Sequence, residues 1–543
     1  MIDPRAAAAA SVHLAVGLRA WRRFRAALAD PRAAQAEALR RIVRGGGDSA
    51  FARAHGVPPG AGVEVVLRVV PPRTYDELRP WIERAAAGEP RVLSAAPVLR
   101  FQPSSGSAAA SKLVPWTAPL AAELRRAISP WLADMALRHP RLLGGPAYWS
   151  VSPAGPPPPA TASGIPVGFE DDAEYLGPLA RRLARWAMAV PSAVRHLPEV
   201  ETWRRRTLLH LLRARELRLL SFWSPSFLPV LLSPLGALLP ALAAEIAAGS
   251  PSLVLGGRCL PALPPDPRRA AEVLRAGTEP RRLWPRLALL SCWTDGPSAA
   301  EATRLGELLP GVPLEPKGLI TTEAVVSIPF GGARPLAVDS HFLEIDTGSG
   351  APRLVHQLRE GDRGAVIVTT GGGLWRYRLQ DQVEVTGFLG RTPTIRFLGK
   401  EDHVSDLVGE KLHAGHAAEV IARLRREFSL ADGLAFLAPD GPHRPGGQPG
   451  YTLFLAAEAQ PARLAERLEI LLRENFHYAH AARLGQLAPA RVYRVEGDGL
   501  GPFYAACTAR GQRLGDVKPS PLRRDGGWAG ALPGSYLGPE CGR

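Results

Sequence analysis

A large α/β domain followed by a smaller α+β domain is the architecture this sequence predicts, and three observations carry it. At 543 residues the chain is too long for one hydrophobic core. Up to about residue 400, helical stretches such as Glu201–Leu217 alternate with short apolar runs such as Leu287–Cys292 and Ala365–Thr370, as expected for helices layered on a sheet. Beyond Asp402 the pattern changes to helix, strand, helix, strand. The expected boundaries are 1–400 and 401–543.

The chain opens with an apolar run, Ala6–Leu18, flanked by Asp3 and Trp21-Arg22-Arg23 with no convincing cleavage site, so it reads as an amphipathic helix rather than a signal peptide. Leu219–Ala244 carries no charge and is long enough to raise a membrane span. Pro225, Pro229, Pro234 and Pro240 argue against it, since each removes a backbone donor that lipid does not replace. The stretch reads instead as buried helices broken at prolines. Gly364–Thr370, the Gly371-Gly372-Gly373 cluster and Leu374–Asp381 read as strand, tight turn and strand, which places Asp381 at a strand end; Val383–Phe388 continues the sheet. In the second domain Ala417, Val420, Ile421 and Leu424 fall at helical spacing, Tyr451–Ala457 reads as a strand, Leu464, Leu468 and Leu471 mark another helix, and Arg491–Val495 another strand. Asp440–Gly450, rich in Gly and Pro, is its expected loop.

A formal charge of +15 comes from arginines spread along the chain, with no basic block and no basic-aromatic repeat, so nucleic acid is not an expected partner. The positive field favours anionic carboxylates and ATP. Cys259, Cys292, Cys507 and Cys541 lack any C-x-x-C spacing, which indicates neither zinc nor a disulfide framework and suits reduced thiols in a cytoplasm. His413/His416 and His477/His480 are spaced i, i+3, but nothing nearby completes a ligand set.

Four segments carry candidate chemistry. Ser104-Ser105-Gly106-Ser107-Ala108-Ala109-Ala110-Ser111-Lys112 offers hydroxyls, backbone N–H groups and an ammonium, the donors that wrap phosphates; the same composition also makes plain connections. It is not a P-loop, because Lys112 is followed by Leu113-Val114-Pro115, which reads as strand or turn. Asp381 suits the two hydroxyls of a ribose, or bonds its own turn. Lys317-Gly318-Leu319-Ile320-Thr321-Thr322-Glu323 and Gly399–Leu412 read singly as a helix cap and a solvated connector.

Taken in order, phosphate loop, Thr-Glu, strand-end Asp and Gly-Lys-x-Asp hinge match the acyl-adenylate-forming ligases. Within that superfamily the chain resembles the acyl acid amido synthetases, the auxin-responsive promoter proteins of plants, in the form also found in bacteria. The resemblance runs over nearly the full length and includes Tyr75-Asp76-Glu77-Leu78, Ser163–Gly168, Trp223–Leu228, Ser291-Cys292-Trp293, Val404–Leu407, Gly409–Leu412 and Gly511–Pro519. It implies a large adenylate-forming domain and a small mobile one joined by a hinge at Lys400–Asp402. It implies ATP and Mg²⁺, with Ser104, Ser105, Gly106, Ser107 and Lys112 around the phosphates, Glu323 on the metal, Thr322 at the α-phosphate, Asp381 on the ribose and Lys518 as the mobile lysine of adenylation. Trp223, Phe227 and Trp293 line the acyl pocket by the same analogy, or are buried aromatic core.

The implied activity joins a carboxylic acid to an amine, an amino acid, through an acyl-adenylate. The alternatives are transfer to a thiol, coenzyme A or a carrier protein, and a catalytically weakened nucleotide-binding homologue. The last is prompted by two departures. Ala108, Ala109 and Ala110 stand where the family has Thr or Gly, and Lys400 stands where it has arginine, which keeps the charge but loses the bidentate fork.

Overall fold

In the computed structural model, all residues are described except 1–3, 104–111, 151–159, 169–186, 198, 256–257, 401–403, 406, 409, 441–447, 458–460, 513–516, 518–519 and 538–543. The chain separates into two compact units. The first runs to Leu398 without Gly296–Ser298, and the second comprises Gly399 onward with Gly296–Ser298.

Helix Pro4–Ala27 opens the first unit and packs on helix Ala118–Arg138. Strands β1 (Arg100–Pro103) and β2 (Leu113–Trp116) form an antiparallel pair on either side of 104–111. The Ser163–Gly168 signature lies beside that pair, with the Gly168 N–H donating to the Phe101 carbonyl and the Phe101 N–H to that of Pro166.

A parallel sheet follows, in the order β3 (Ala147–Trp149), β4 (Leu219–Ser221), β7 (Leu289–Cys292), β8 (Leu314–Pro316), while β5 (Leu253–Leu255) and β6 (Arg258–Leu260) make a separate hairpin. All residues of β4 and β7 are buried, as strands covered on both faces must be. Trp203, Leu208 and Leu211, from the helix Val200–Arg213, and Trp284, just past the helix Pro280–Leu283, are fully buried.

The expected helix over Glu201–Leu217 forms as Val200–Arg213. In the uncharged stretch, Pro234 separates helices Phe227–Leu232 and Leu235–Ala248, whereas Pro240 lies inside the second and does not break it. Among the described residues no helix is long and apolar enough to cross a membrane.

The rest of the first unit is a five-stranded sheet built from β9 (Phe342–Asp346), β10 (Arg353–Leu354), β11 (Arg363–Thr369), β12 (Tyr377–Leu389) and β13 (Thr392–Lys400), in the order β10-β9-β11-β12-β13. Its buried face joins one continuous core with the first five helices and with helix Ala118–Arg138. The two runs around Asp381 are a single strand, β12, interrupted by a bulge, so Asp381 is not at a strand end.

The second unit pairs β14 (Val404–Ser405) with β15 (Leu412–His413) and carries a four-stranded sheet of β16 (Ala435–Asp440), β17 (Gly450–Leu455), β18 (Arg491–Val495) and β19 (Gly534–Leu537). Helices Ala414–Glu427 and Pro461–Leu472 bury the spaced residues Ala417, Val420, Ile421, Leu424, Leu464, Leu468 and Leu471 against it. Most of the expected Asp440–Gly450 loop lies outside the described residues.

Candidate active site

The site is best built from Thr117. Its side chain accepts from the Leu120 N–H, capping helix Ala118–Arg138, and its hydroxyl donates to the Gly371 carbonyl at 2.9 Å. One turn along, Glu123 is buried and its carboxylate accepts from the Gly371 N–H at 2.9 Å. Gly371 has no room for a side chain, since a Cβ there lies 2.6 Å from a Glu123 oxygen; Gly373, at φ +95°, packs as closely on Leu93.

The second Glu123 partner is His341, fully buried, whose Nδ1 is 2.9 Å away. His341 Nε2 accepts from the Val325 N–H at 3.1 Å, which fixes the proton on Nδ1 and makes that nitrogen the donor to Glu123. Val325 closes the turn that carries Thr322 and Glu323. Thr321 shapes this turn: its hydroxyl accepts from the Glu323 and Ala324 N–H groups and donates to the Ala324 carbonyl, leaving Thr322 and Glu323 at the tip.

Glu123 and His341 therefore staple three pieces together: the helix that follows β2, the Thr322–Glu323 turn and the Gly371–Gly373 turn. Lys112 immediately precedes β2 and is half-buried, with its ammonium 5.6 Å from the Tyr75 ring centroid. The Tyr75 hydroxyl accepts from the Leu113 N–H at 2.8 Å and so fixes the strand start beside that lysine. Burial raises the Tyr75 pKa.

Asp381 lies on β12, which leaves the Gly turn. Its pairing with β11 shifts between Ala365 opposite Gln382 and Ile367 opposite Arg378, so Leu379, Gln380 and Asp381 form the bulge. Gln380 takes φ +65°, a conformation costly by about 1 kcal/mol for a non-glycine residue, and the Asp381 side chain is buried. The turn before it is held by Arg376, whose guanidinium is buried on Glu344 at 2.6 and 2.9 Å and also donates to the Leu67 and Val70 carbonyls. Lys400 closes β13. Ser104, Ser105, Gly106, Ser107 and Lys518 lie outside the described residues, as does Asp402.

The carboxyl ends of the parallel strands carry a second cluster. Trp149, Ser221 and Cys292 close β3, β4 and β7, and Lys317 directly follows β8. Trp223 and Trp293 stand here with ring centroids 5.4 Å apart. Phe227 takes the second of its two readings, buried aromatic core: it packs among Tyr148, Trp203 and Phe222.

Glu123, His341 and Arg376 escaped sequence reasoning, and Lys317 was read only as part of a motif. One signal was available for the lysine. The chain holds 61 arginines but only five lysines, Lys112, Lys317, Lys400, Lys411 and Lys518, and every one lies in a motif.

A parallel-sheet α/β unit with a smaller α+β unit is the adenylate-forming fold. The chain shares it with a 2-hydroxyisobutyryl-CoA ligase in complex with R3-HIB-AMP, at TM-score 0.50 and 13% identity over 90% of this chain and 88% of that one. The likeness is higher to the GH3.15 acyl acid amido synthetase, at TM-score 0.76 and 18% identity over 92% of both chains. A second structure, AtGH3.15 in complex with 2,4-DB, gives TM-score 0.78 and 16% identity over 96% and 98%.

The GH3 family N-terminal domain matches residues 20–314 and the GH3 family central domain residues 341–400. The chain belongs to the GH3 family. Among curated relatives, the probable indole-3-acetic acid-amido synthetase GH3.7 of Oryza sativa subsp. japonica is 29% identical over 171 residues, 26% of this chain and 27% of the rice protein. The human GH3 domain-containing protein is 25% identical over 289 residues, 49% of this chain and 52% of its own. The chain thus spans about a quarter and a half of the lengths of these two relatives.

Proposed function

We propose that the chain is an ATP-dependent acyl acid amido synthetase that adenylates a carboxylic acid and transfers the acyl group to the amine of an amino acid. The observation that carries this reading is the Glu123–His341 staple, which holds the Thr322–Glu323 turn and the Gly371–Gly373 turn beside the helix that follows Lys112 and β2. A carboxylate does not condense with an amine at neutral pH because oxide is too poor a leaving group. In the proposed sequence a carboxylate oxygen attacks the α-phosphorus and pyrophosphate leaves; the amine nitrogen then attacks the acyl carbon, loses a proton and expels AMP.

Lys112 and the Ser104–Ser107 hydroxyls receive the phosphates, Thr322 lies at the α-phosphate, and Asp381, buried at the bulge, accepts from the ribose hydroxyls. Glu323 is a single carboxylate, and among the described residues no cluster of three His, Cys, Asp or Glu is placed to hold a metal. That suits Mg²⁺, which takes one or two protein carboxylates and completes its shell with phosphate and water. The ion's contribution is to offset phosphate charge. Lys518 is assigned to the developing charge of adenylation, and Lys400, in the proposed hinge, to the rotation that admits the amine.

The deciding experiment incubates the protein with ATP, Mg²⁺ and a panel of aromatic and aliphatic acids, reads pyrophosphate, and then weighs the product formed with amino acids or with coenzyme A. Acid-dependent pyrophosphate and an amide mass are expected. A thioester mass refutes the acceptor, and ATP binding without acid-dependent pyrophosphate refutes the enzyme.

A further inference from the structure

The cluster at the carboxyl ends of the parallel strands holds a group that the proposed adenylation chemistry leaves unused. Lys317 Nζ donates to Ser221 Oγ at 2.8 Å and lies 5.1, 5.1 and 5.0 Å from the ring centroids of Trp131, Trp149 and Trp223. Three indole faces attract a cation but accept few of its protons. An ammonium has three N–H donors, and Ser221 takes one.

Glu315 acts on Lys317 only through space, with no hydrogen bond or ion-pair contact to it among the described residues, and Cys292 is no fuller partner. Glu315, two residues earlier on β8, is bound to Arg138 and accepts from the Trp131 indole N–H, while the buried Cys292 thiol is pushed up to about 12 and stays neutral. Burial pushes Lys317 itself down to about 7. Beside it, Ser291 pairs in register with Ser221, which sets both side chains on one face of the sheet, and the Ser291 hydroxyl is buried with no hydrogen-bond partner among the described residues.

A buried ammonium with no carboxylate in direct contact and a buried hydroxyl without a partner among the described residues are each unfavourable unless something completes them. Trp149, Trp223 and Trp293 are only half-buried, so the cluster is open on one side. Strand carboxyl ends are where open α/β sheets receive ligands.

We propose that Lys317, with Ser291 as second donor, binds an anionic group at the far end of the acyl substrate, so that the chain prefers dicarboxylic over monocarboxylic acids. This rests on the amido synthetase reading, which puts the acyl chain at these strand ends. The first carboxylate reacts and the second completes the ammonium.

The test compares adipate with hexanoate, matched in length, in the pyrophosphate assay for wild type, Lys317→Met and Ser291→Ala. Wild type is expected to favour adipate by tenfold or more in kcat/KM. Lys317→Met should erase that preference while hexanoate stays within twofold, and Ser291→Ala, which keeps the charge, should reduce it several-fold. A wild type indifferent to the second carboxylate, or a Lys317→Met that lowers both acids equally, overturns the proposal.

If no acid releases pyrophosphate, the amido synthetase reading has failed, and tryptophan fluorescence on titration with the same two acids decides the site by itself. Tighter adipate binding that Lys317→Met abolishes upholds it, and equal affinities refute it. Should Lys317→Met not fold, Ser291→Ala carries the same comparison.

Discussion

Glu123→Gln tests the staple with a change of one atom. Glu123 accepts from two buried donors, the Gly371 N–H and His341 Nδ1–H, both at 2.9 Å. Glutamine keeps one oxygen, so its amide nitrogen must face one of those donors. Moving the imidazole proton to Nε2 offers no escape, because that nitrogen then confronts the Val325 N–H, now its hydrogen-bond donor at 3.1 Å. Every arrangement leaves buried donors facing each other. Bonds to charged groups contribute about 1.5–3 kcal/mol and an orphaned buried polar group costs about 1–3 kcal/mol, so the substitution should cost roughly 2–4 kcal/mol. The assay is urea unfolding of the full chain, with circular dichroism and tryptophan fluorescence followed separately, since two units need not unfold in one step. The KM for ATP should rise about tenfold in parallel as the Thr322–Glu323 turn loses its anchor, a shift on the order of 1.4 kcal/mol. A double-mutant cycle with His341→Phe should give a coupling of about 1–3 kcal/mol. Stability within about 0.5 kcal/mol of wild type and an unchanged KM would refute the argument, because a network this buried has no water to take over its bonds.

Tyr75→Phe removes the acceptor of the Leu113 N–H; stability should fall by about 1 kcal/mol and the KM for ATP should rise several-fold, read by thermal unfolding and pyrophosphate release. Glu410 is fully buried and accepts from the Leu407 and Val408 N–H groups at 2.8–2.9 Å and from the Tyr451 hydroxyl, so Glu410→Gln should cost about 1–3 kcal/mol in the second unit and speed hydrogen exchange at Leu407 and Val408. The nearly buried His210 is pushed down to about 4 by desolvation and then by Arg206 and Arg213. Its unfolded form takes a proton near 6.5 and its folded form does not, so stability falls as pH drops from about 6.5 to 4, by roughly 2–4 kcal/mol; His210→Leu should flatten that slope in urea titrations.

The elements that sequence reasoning located are those whose signal is local. The apolar run before Gly371 becomes β11, and the helical spacing of Ala417, Val420, Ile421 and Leu424 becomes a buried helix face. Glu410 looked like one charge in a solvated connector, because nothing in Gly409–Leu412 reveals a phenol from residue 451. Glu123 is harder still: its partners are 248 and 218 residues away, and a glutamate after Ala121-Ala122 in a helix is indistinguishable from a surface residue. Long-range pairing leaves no trace in the spacing of either partner.

Other site residues are legible as violations of the pattern around them. Along β12 the buried positions are Tyr377, Leu379, Asp381, Val383 and Val385, so Asp381 sets a carboxylate in the inward, apolar register of the strand. Gln380-Asp381 is a polar pair that in sequence reads as the end of a strand, whereas in the structure Gln380 takes a left-handed conformation within it. A carboxylate in an inward, apolar position is a departure in residue type that the spacing of the strand itself makes legible, more so than a turn aspartate would be. The lysines argue the same way through composition. Against 61 arginines, five lysines stand out, and for Lys317 the structure shows why a guanidinium is a poor substitute. At Lys317 the reason is visible: three tryptophan faces about 5 Å from one nitrogen fit a compact ammonium on a thin stem, and only lysine of the two shifts its pKa toward neutrality when buried. An arginine there would carry a permanent, wider charge into the same box. Lys317→Arg should therefore perturb acid binding more than the same exchange at the exposed Lys411, and equal tolerance at both positions would mean that the scarcity of lysine carries no functional information.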